Sequence, residues 1–270
     1  MDNKIKVLFF NTFQKEYRNK MMIFFIILTV ILIFGINSFL NFAGNLPGLI
    51  PRGTLSDKKL FVFFYTINLW NILLSIIVGV NCLKSDIKSG VILQILSFPI
   101  KRTHLLLARI LGGSALVLAY YFLAFFLAVV VFTFSSDGGA SFNFKMLLGL
   151  IPTSALILST VTITVLVSLY LSKIQSLFVA LFAMAYVGHF NNFFSGMTLE
   201  ESFRDLGFFK FFGLIFHIFL PRVGFFDELS KDVILGNPIY SNFWIEIPHF
   251  LASYAILAFI CHYALKRKEF

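Results

Sequence analysis

Long apolar runs constrain this chain more than any other feature. They cover 21–43, 60–83, 105–134, 146–171, 176–195 and 245–265. A bilayer core of about 30 Å is crossed by about 20 helical residues, and each run supplies that length. The expected fold is an all-α polytopic membrane protein with six spans, built as one domain over 1–270.

Composition points to lipid as the main solvent. The chain is 59% hydrophobic and 13% charged, whereas a soluble domain carries about 25% charged residues. Its 37 phenylalanines suit helices that set large side chains against acyl tails. The formal net charge of +9 would suggest a nucleic-acid partner in a soluble protein. Here the cations lie between apolar runs, so they read as topology signals and no nucleic acid is expected. Cys82 and Cys261 form no CxxC or metal spacing and read as small packing residues.

Residues 4–20 carry Val7, Phe10, Phe13 and Tyr17 at helical spacing, with Lys6, Gln14, Lys15 and Arg18 among them. A short basic amphipathic helix of this kind lies in the membrane interface, its cations near anionic headgroups. The basic part is too long for a secretory signal, and no small-residue cleavage site follows cleanly. Pro47, Gly48, Pro51 and Gly53 break the chain after the first run. In the second run Asn68, Asn71 and Ser75 share one helical face. They either bond to neighbouring helices or line a translocation path. The third run is long enough to tilt or to start in the interface, and Gly138 and Gly139 mark the loop after it. The fourth carries Thr153, Ser154, Ser159, Thr160, Thr162, Thr164 and Ser168, expected to bond back to their own helix carbonyls.

The segment 196–242 is different in kind. It opens on Thr198-Leu-Glu-Glu201, which resembles a capping box. The apolar stretch 207–220 that follows is stopped by Pro221. At 1.5 Å per residue such a helix reaches only about 20 Å, so a re-entrant or interfacial helix is expected. A second short helix is expected over 225–235, before Gly236-Asn237-Pro238.

With a cytoplasmic N-terminus and six spans, Lys4, Lys6, Lys15, Arg18, Lys20, Lys84, Lys88, Lys101, Arg102, Arg109, Lys173, Lys266, Arg267 and Lys268 fall inside. Arg52, Lys58, Lys59, Lys145, Arg204, Lys210, Arg222 and Lys231 fall outside. The excess inside is what the positive-inside rule requires. The expected location is therefore the cell membrane, multi-pass, with both termini cytoplasmic.

In that topology 84–104 is the largest inner loop. It is too polar to cross a bilayer and too apolar for a free loop. After Asp86, Lys88 and Gly90, the residues Val91, Ile92, Ile95, Leu96 and Phe98 offer an apolar face, and Pro99 ends the helix. Lys101, Arg102 and His104 follow. The loop is either an ordinary interfacial connection with topogenic cations, or a helix that docks into a groove on a cytoplasmic protein.

The order Asp86, Gly90-Val91, an apolar 93–96, then Leu96-Ser97-Phe98-Pro99-Ile100-Lys101-Arg102 resembles the first cytoplasmic loop of the type-2 ABC exporter permeases. That family shows an acid, Gly-Thr, an apolar stretch and Leu-x-x-Pro-Val-x-Arg before its third span. Val91 stands here for the usual Thr, and Gln94 where an acid is common. Gln14-Lys15-Glu16-Tyr17-Arg18 is similar to the family's amphipathic elbow helix. Leu220-Pro221 with Phe225-Phe226-Asp227 is similar to its outer re-entrant segment. The resemblance implies an elbow helix at 1–20, a coupling loop at 84–104 and a re-entrant segment at 196–242. It implies a second permease chain, as homo- or heterodimer, and cytoplasmic ATPase subunits that hold ATP and Mg. The residues expected to couple to an ATPase are Asp86, Gly90, Ile92, Ile95, Leu96, Pro99 and Arg102.

The residues agree on one point independently. No GxxxxGK[ST] phosphate loop is present, so no cofactor is expected in this chain and ATP hydrolysis would come from another. No HExxH, Gly-x-Ser-x-Gly or paired intramembrane carboxylate is present either, which leaves an intramembrane enzyme without its machinery. His189, His217, His249 and His262 are dispersed and read as packing or interfacial residues. The expectation is an exporter permease that is not itself an enzyme, or else a membrane scaffold or assembly factor that transports nothing.

Overall fold

The computed structural model describes residues 3–18, 20–45, 55–98, 100–135, 144–194, 197, 207–236 and 243–268. Pro47, Gly48, Pro51, Gly53, Pro99, Gly138, Gly139, Asn237, Pro238 and the stretch 198–201 lie outside these. Among the described residues every regular element is a helix. In chain order they are α1 (Asn3–Tyr17), α2 (Lys20–Asn45), α3 (Leu55–Lys88), α4 (Val91–Ser97), α5 (Arg102–Ser135), a 3-10 turn (Phe144–Gly149), α6 (Leu150–Tyr170), α7 (Lys173–Phe194), α8 (Phe208–Phe219), α9 (Val223–Leu235) and α10 (Phe243–Arg267).

Six of these helices are long and apolar enough to cross a membrane: α2, α3, α5, α6, α7 and α10. They coincide with the six apolar runs. The helices α8 and α9 form a pair bent by 68°. Leu220 at the break is extended, and Pro221 follows it. This is the short, broken geometry that 12 and 13 helical residues and an intervening proline dictate.

The long helices α3, α5 and α6 form the centre of the bundle, where Leu74, Val78, Cys82, Val117, Tyr121, Ile157, Val161 and Val165 are buried together. By contrast α2, α7 and α10 turn large apolar side chains outward, among them Phe24, Phe34, Phe178, Phe182, Leu251 and Phe259. Against lipid tails that exposure carries no hydrophobic cost.

Two helices run past their apolar segments. Both α3 and α5 have 34 residues, about 50 Å at 1.5 Å per residue, against a hydrocarbon core of about 30 Å. Sequence places the end of the second span at 83, yet α3 continues to Lys88. The extension holds because its polar side chains are met by neighbours. Lys84 Nζ donates to the carbonyls of Ser168 at 3.1 Å and Leu171 at 2.5 Å. Ser85 Oγ donates to Asn81 O at 2.6 Å, and Asp86 is ion-paired.

The apolar stripe of α1 is split: Val7, Phe10 and Tyr17 are exposed, whereas Phe13 packs partly against the core, on the side where Leu8, Thr12 and Glu16 are buried. Its mixed face is the one that meets α5. The hydroxyls of α6 bond back to their own helix, Thr153 to Gly149, Ser159 to Ala155, Thr160 to Leu156, Thr162 to Leu158 and Thr164 to Thr160, all at 2.6–2.8 Å.

Candidate functional site

One end of the bundle gathers α1, the C-terminal end of α3, α4, the start of α5, the α6–α7 turn and the end of α10. Gly90 makes the corner between α3 and α4. Its φ of +71° lies in the left-handed region, where a residue with a Cβ is strained. The chain then turns into the seven-residue α4. Ile92 is 1% exposed and belongs to the main core, and Ile95 packs partly against it. Leu93 and Phe98 point the other way, 53% and 64% exposed. The apolar face marked in the sequence is therefore divided: Ile92 and Ile95 root the helix, while Phe98 faces outward together with Leu93, which the sequence pattern does not assign to that face. The side chain of Leu96 and all of Pro99 lie outside the described residues.

Asp86 also turns inward. Its Oδ1 accepts from Lys15 Nζ at 2.6 Å, and its Oδ2 pairs with Arg109 Nη2 at 2.6 Å. Arg109 Nη1 donates to Thr12 Oγ1 at 2.7 Å, and Thr12 donates in turn to Leu8 O at 2.8 Å. Lys15 Nζ donates to Ser85 Oγ at 2.5 Å. Glu16 is buried in the same region. Lys15, Asp86 and Arg109 thus join α1, α3 and α5 at the base of α4, with Glu16 buried close by. Removal from water strengthens the Asp86–Arg109 pair, and the low exposure of both side chains makes each dependent on the other. Close approach is permitted by Gly112, where a Cβ would lie 2.8 Å from Thr12 Cβ and 3.0 Å from Phe9 O.

Arg102 is occupied by the chain's own helix end. Its Nη1 donates to the carbonyls of Leu265, Lys266 and Lys268 at 3.0, 2.9 and 3.2 Å. The first two are among the last carbonyls of α10, which have no partner within the helix and lie at the negative end of its dipole, and the third follows directly after it. Lys84 does the same for α6, and Lys268 Nζ joins it by donating to Leu169 O. Burial, and then the nearby charge of Lys84, hold the Lys268 ammonium below the usual lysine range.

The residues proposed to line a path are brought together, but inside. Asn68, Asn71 and Ser75 are all buried. The Asn68 amide donates to Asp227 on α9, and Asp227 pairs with Lys231 at 2.5 Å. Ser75 Oγ donates to Asn71 O at 2.8 Å. Both side-chain atoms of Asn71 lack a hydrogen-bond partner. Nearby, Ser230 of α9 bonds Gly149 O at 3.1 Å and the Thr153 hydroxyl at 2.8 Å, which seats the bent pair on the start of α6.

Thr12, Lys15, Glu16, Arg109 and Asp227 were not singled out by sequence reasoning as site residues. One signal was available for Arg109: it falls inside the third apolar run, and a cation there needs a partner. Among the described residues no group of three or more His, Cys, Asp and Glu is placed to hold a metal ion. No family model matches the chain, and no curated protein matches it.

Proposed function

We propose that this multi-pass membrane protein is the permease subunit of an ATP-binding-cassette exporter, moving a substrate out of the cytoplasm with ATP hydrolysed on a separate cytoplasmic subunit. In this reading both termini and α4 are cytoplasmic, α4 is the coupling helix, α1 the elbow, α8–α9 the outer re-entrant segment, and a second permease chain completes the path. The observation that carries the reading is the mounting of α4. Leu93 and Phe98 are presented outward as knobs for a groove, while Ile92 is rooted in the core shared by α3 and α5. The ion pairs at its base join the same two helices to α1. A push on α4 would be delivered to α3 and α5 together, and the ATPase cycle would shift the populations of the span arrangements. The full burial of Asn68, Asn71 and Ser75 favours a second reading, a scaffold or assembly factor that transports nothing.

Affinity purification of the tagged chain in mild detergent separates the two. An ATPase should accompany the wild type and be lost from a Leu93→Arg/Phe98→Arg variant, whose exposed substitutions leave the core intact. If folded wild type brings down no ATPase, the exporter reading fails and the scaffold reading replaces it.

A further inference from the structure

A groove of about 490 Å³ runs between α1, α5 and α6. Its walls are Phe9 and Phe10 of α1, Leu111 and Leu118 of α5, and Ile157 and Leu158 of α6. From Leu111 to Leu118 the α5 wall covers about 10 Å of helix. At the α1 margin stands Lys6, which lines the groove, is exposed, and makes no salt bridge among the described residues. Val7 and Phe10 beside it are also exposed, so this margin meets the lipid interface.

A second observation concerns the hydroxyl of Ser114, which also lines the groove. Ser114 is 8% exposed and its Oγ has no hydrogen-bond partner. Thr12, Thr29, Ser75, Thr160 and Thr164, buried in neighbouring helices, all donate to a carbonyl one turn back. Ser114 does not, and its unmatched hydroxyl sits within the groove wall. An apolar slot with an exposed cation at its margin matches a molecule with an acyl chain and an anionic headgroup.

We infer that this groove is a binding site for one anionic phospholipid, its phosphate at Lys6 and one acyl chain along α5 and α6. The site stands independently of the exporter reading. Zwitterionic lipid would fill the same slot but gain less from Lys6, since its amine offsets the phosphate. A single lysine near an anionic lipid surface is worth about a fivefold preference.

The test is native mass spectrometry of delipidated full-length protein titrated with phosphatidylglycerol or phosphatidylcholine of matched chains. Wild type should hold one phosphatidylglycerol about fivefold more tightly than phosphatidylcholine. Lys6→Glu should abolish the preference, Lys6→Arg should keep it, and Ala115→Leu, which narrows the groove because Ala115 of α5 also lines it, should weaken both lipids alike. Should Ala115→Leu fail to fold, the Lys6 pair decides alone, because that side chain is exposed. Equal affinity for the two lipids in wild type, or an undiminished preference in Lys6→Glu, would overturn the assignment.

Discussion

Replacing Asp86 by Asn tests whether the charge cluster holds the bundle or serves a partner. The carboxylate is 4% exposed and meets Lys15 and Arg109, each at 2.6 Å. Asn keeps the shape but removes the charge. Arg109 is 1% exposed, its Nε is already without a partner, and Thr12 is its remaining neutral acceptor. Breaking a buried pair by removing one member costs about 3–5 kcal/mol, because the other charge is left uncompensated. Lys15→Met should cost far less, about 1 kcal/mol or below, since the Lys15 side chain is 31% exposed and its charge is screened. The double variant Asp86→Leu/Arg109→Met removes both charges and should recover much of the loss, because a well-packed apolar pair can replace a buried ion pair. Equilibrium unfolding in mixed detergent micelles, followed by Trp fluorescence, measures all three. A cost below about 1 kcal/mol for Asp86→Asn, or equal costs for Asp86→Asn and Lys15→Met, would refute the argument.

Three further perturbations probe other contacts. Gly112→Val places side-chain atoms where Thr12 Cβ already stands 2.8 Å from a hypothetical Cβ; α1 should lift from α5 at a cost of about 1–3 kcal/mol, read as a lower melting temperature and protease cleavage near Arg18. Arg102→Gln leaves the last carbonyls of α10 without their cation and should lose about 1 kcal/mol, with faster amide exchange confined to the final turn of α10. Asn71→Leu removes a fully buried amide that has no partner and should raise stability by about 1–3 kcal/mol; if the stabilised protein loses transport in a reconstituted assay, the amide serves the path, and if stability falls, the amide has a structural role after all.

The spans were legible because lipid imposes a length, and the six runs had it. The bent pair was legible as well, since Gly207 and Pro221 bracket a stretch too short to cross. Direction was harder. Periodicity puts Val7, Phe10, Phe13 and Tyr17 on one face of α1, but only Val7, Phe10 and Tyr17 are exposed; Phe13 packs toward the protein, where Leu8, Thr12 and Glu16 are buried. Along α4 both Ile92, which is buried, and Leu93, which is exposed, are apolar, and a short helix with apolar residues on two sides has no single preferred face. Pairings such as Asn68 with Asp227 and Thr12 with Arg109 join residues 159 and 97 positions apart. Only the packing of other helices brings them together, and no local pattern records that.

The clamp on α1 also has a history within each molecule. Lys15 is synthesised 71 residues before Asp86, and Thr12 is synthesised 97 residues before Arg109. At about 5–20 residues per second, the two partners emerge roughly 4 to 20 s after α1. For that interval Lys15 is an unpaired cation beside the first hydrophobic segment, and it stays where water and anionic headgroups can solvate it. The order of synthesis therefore exposes this cation before either of the partners that later bury it exists.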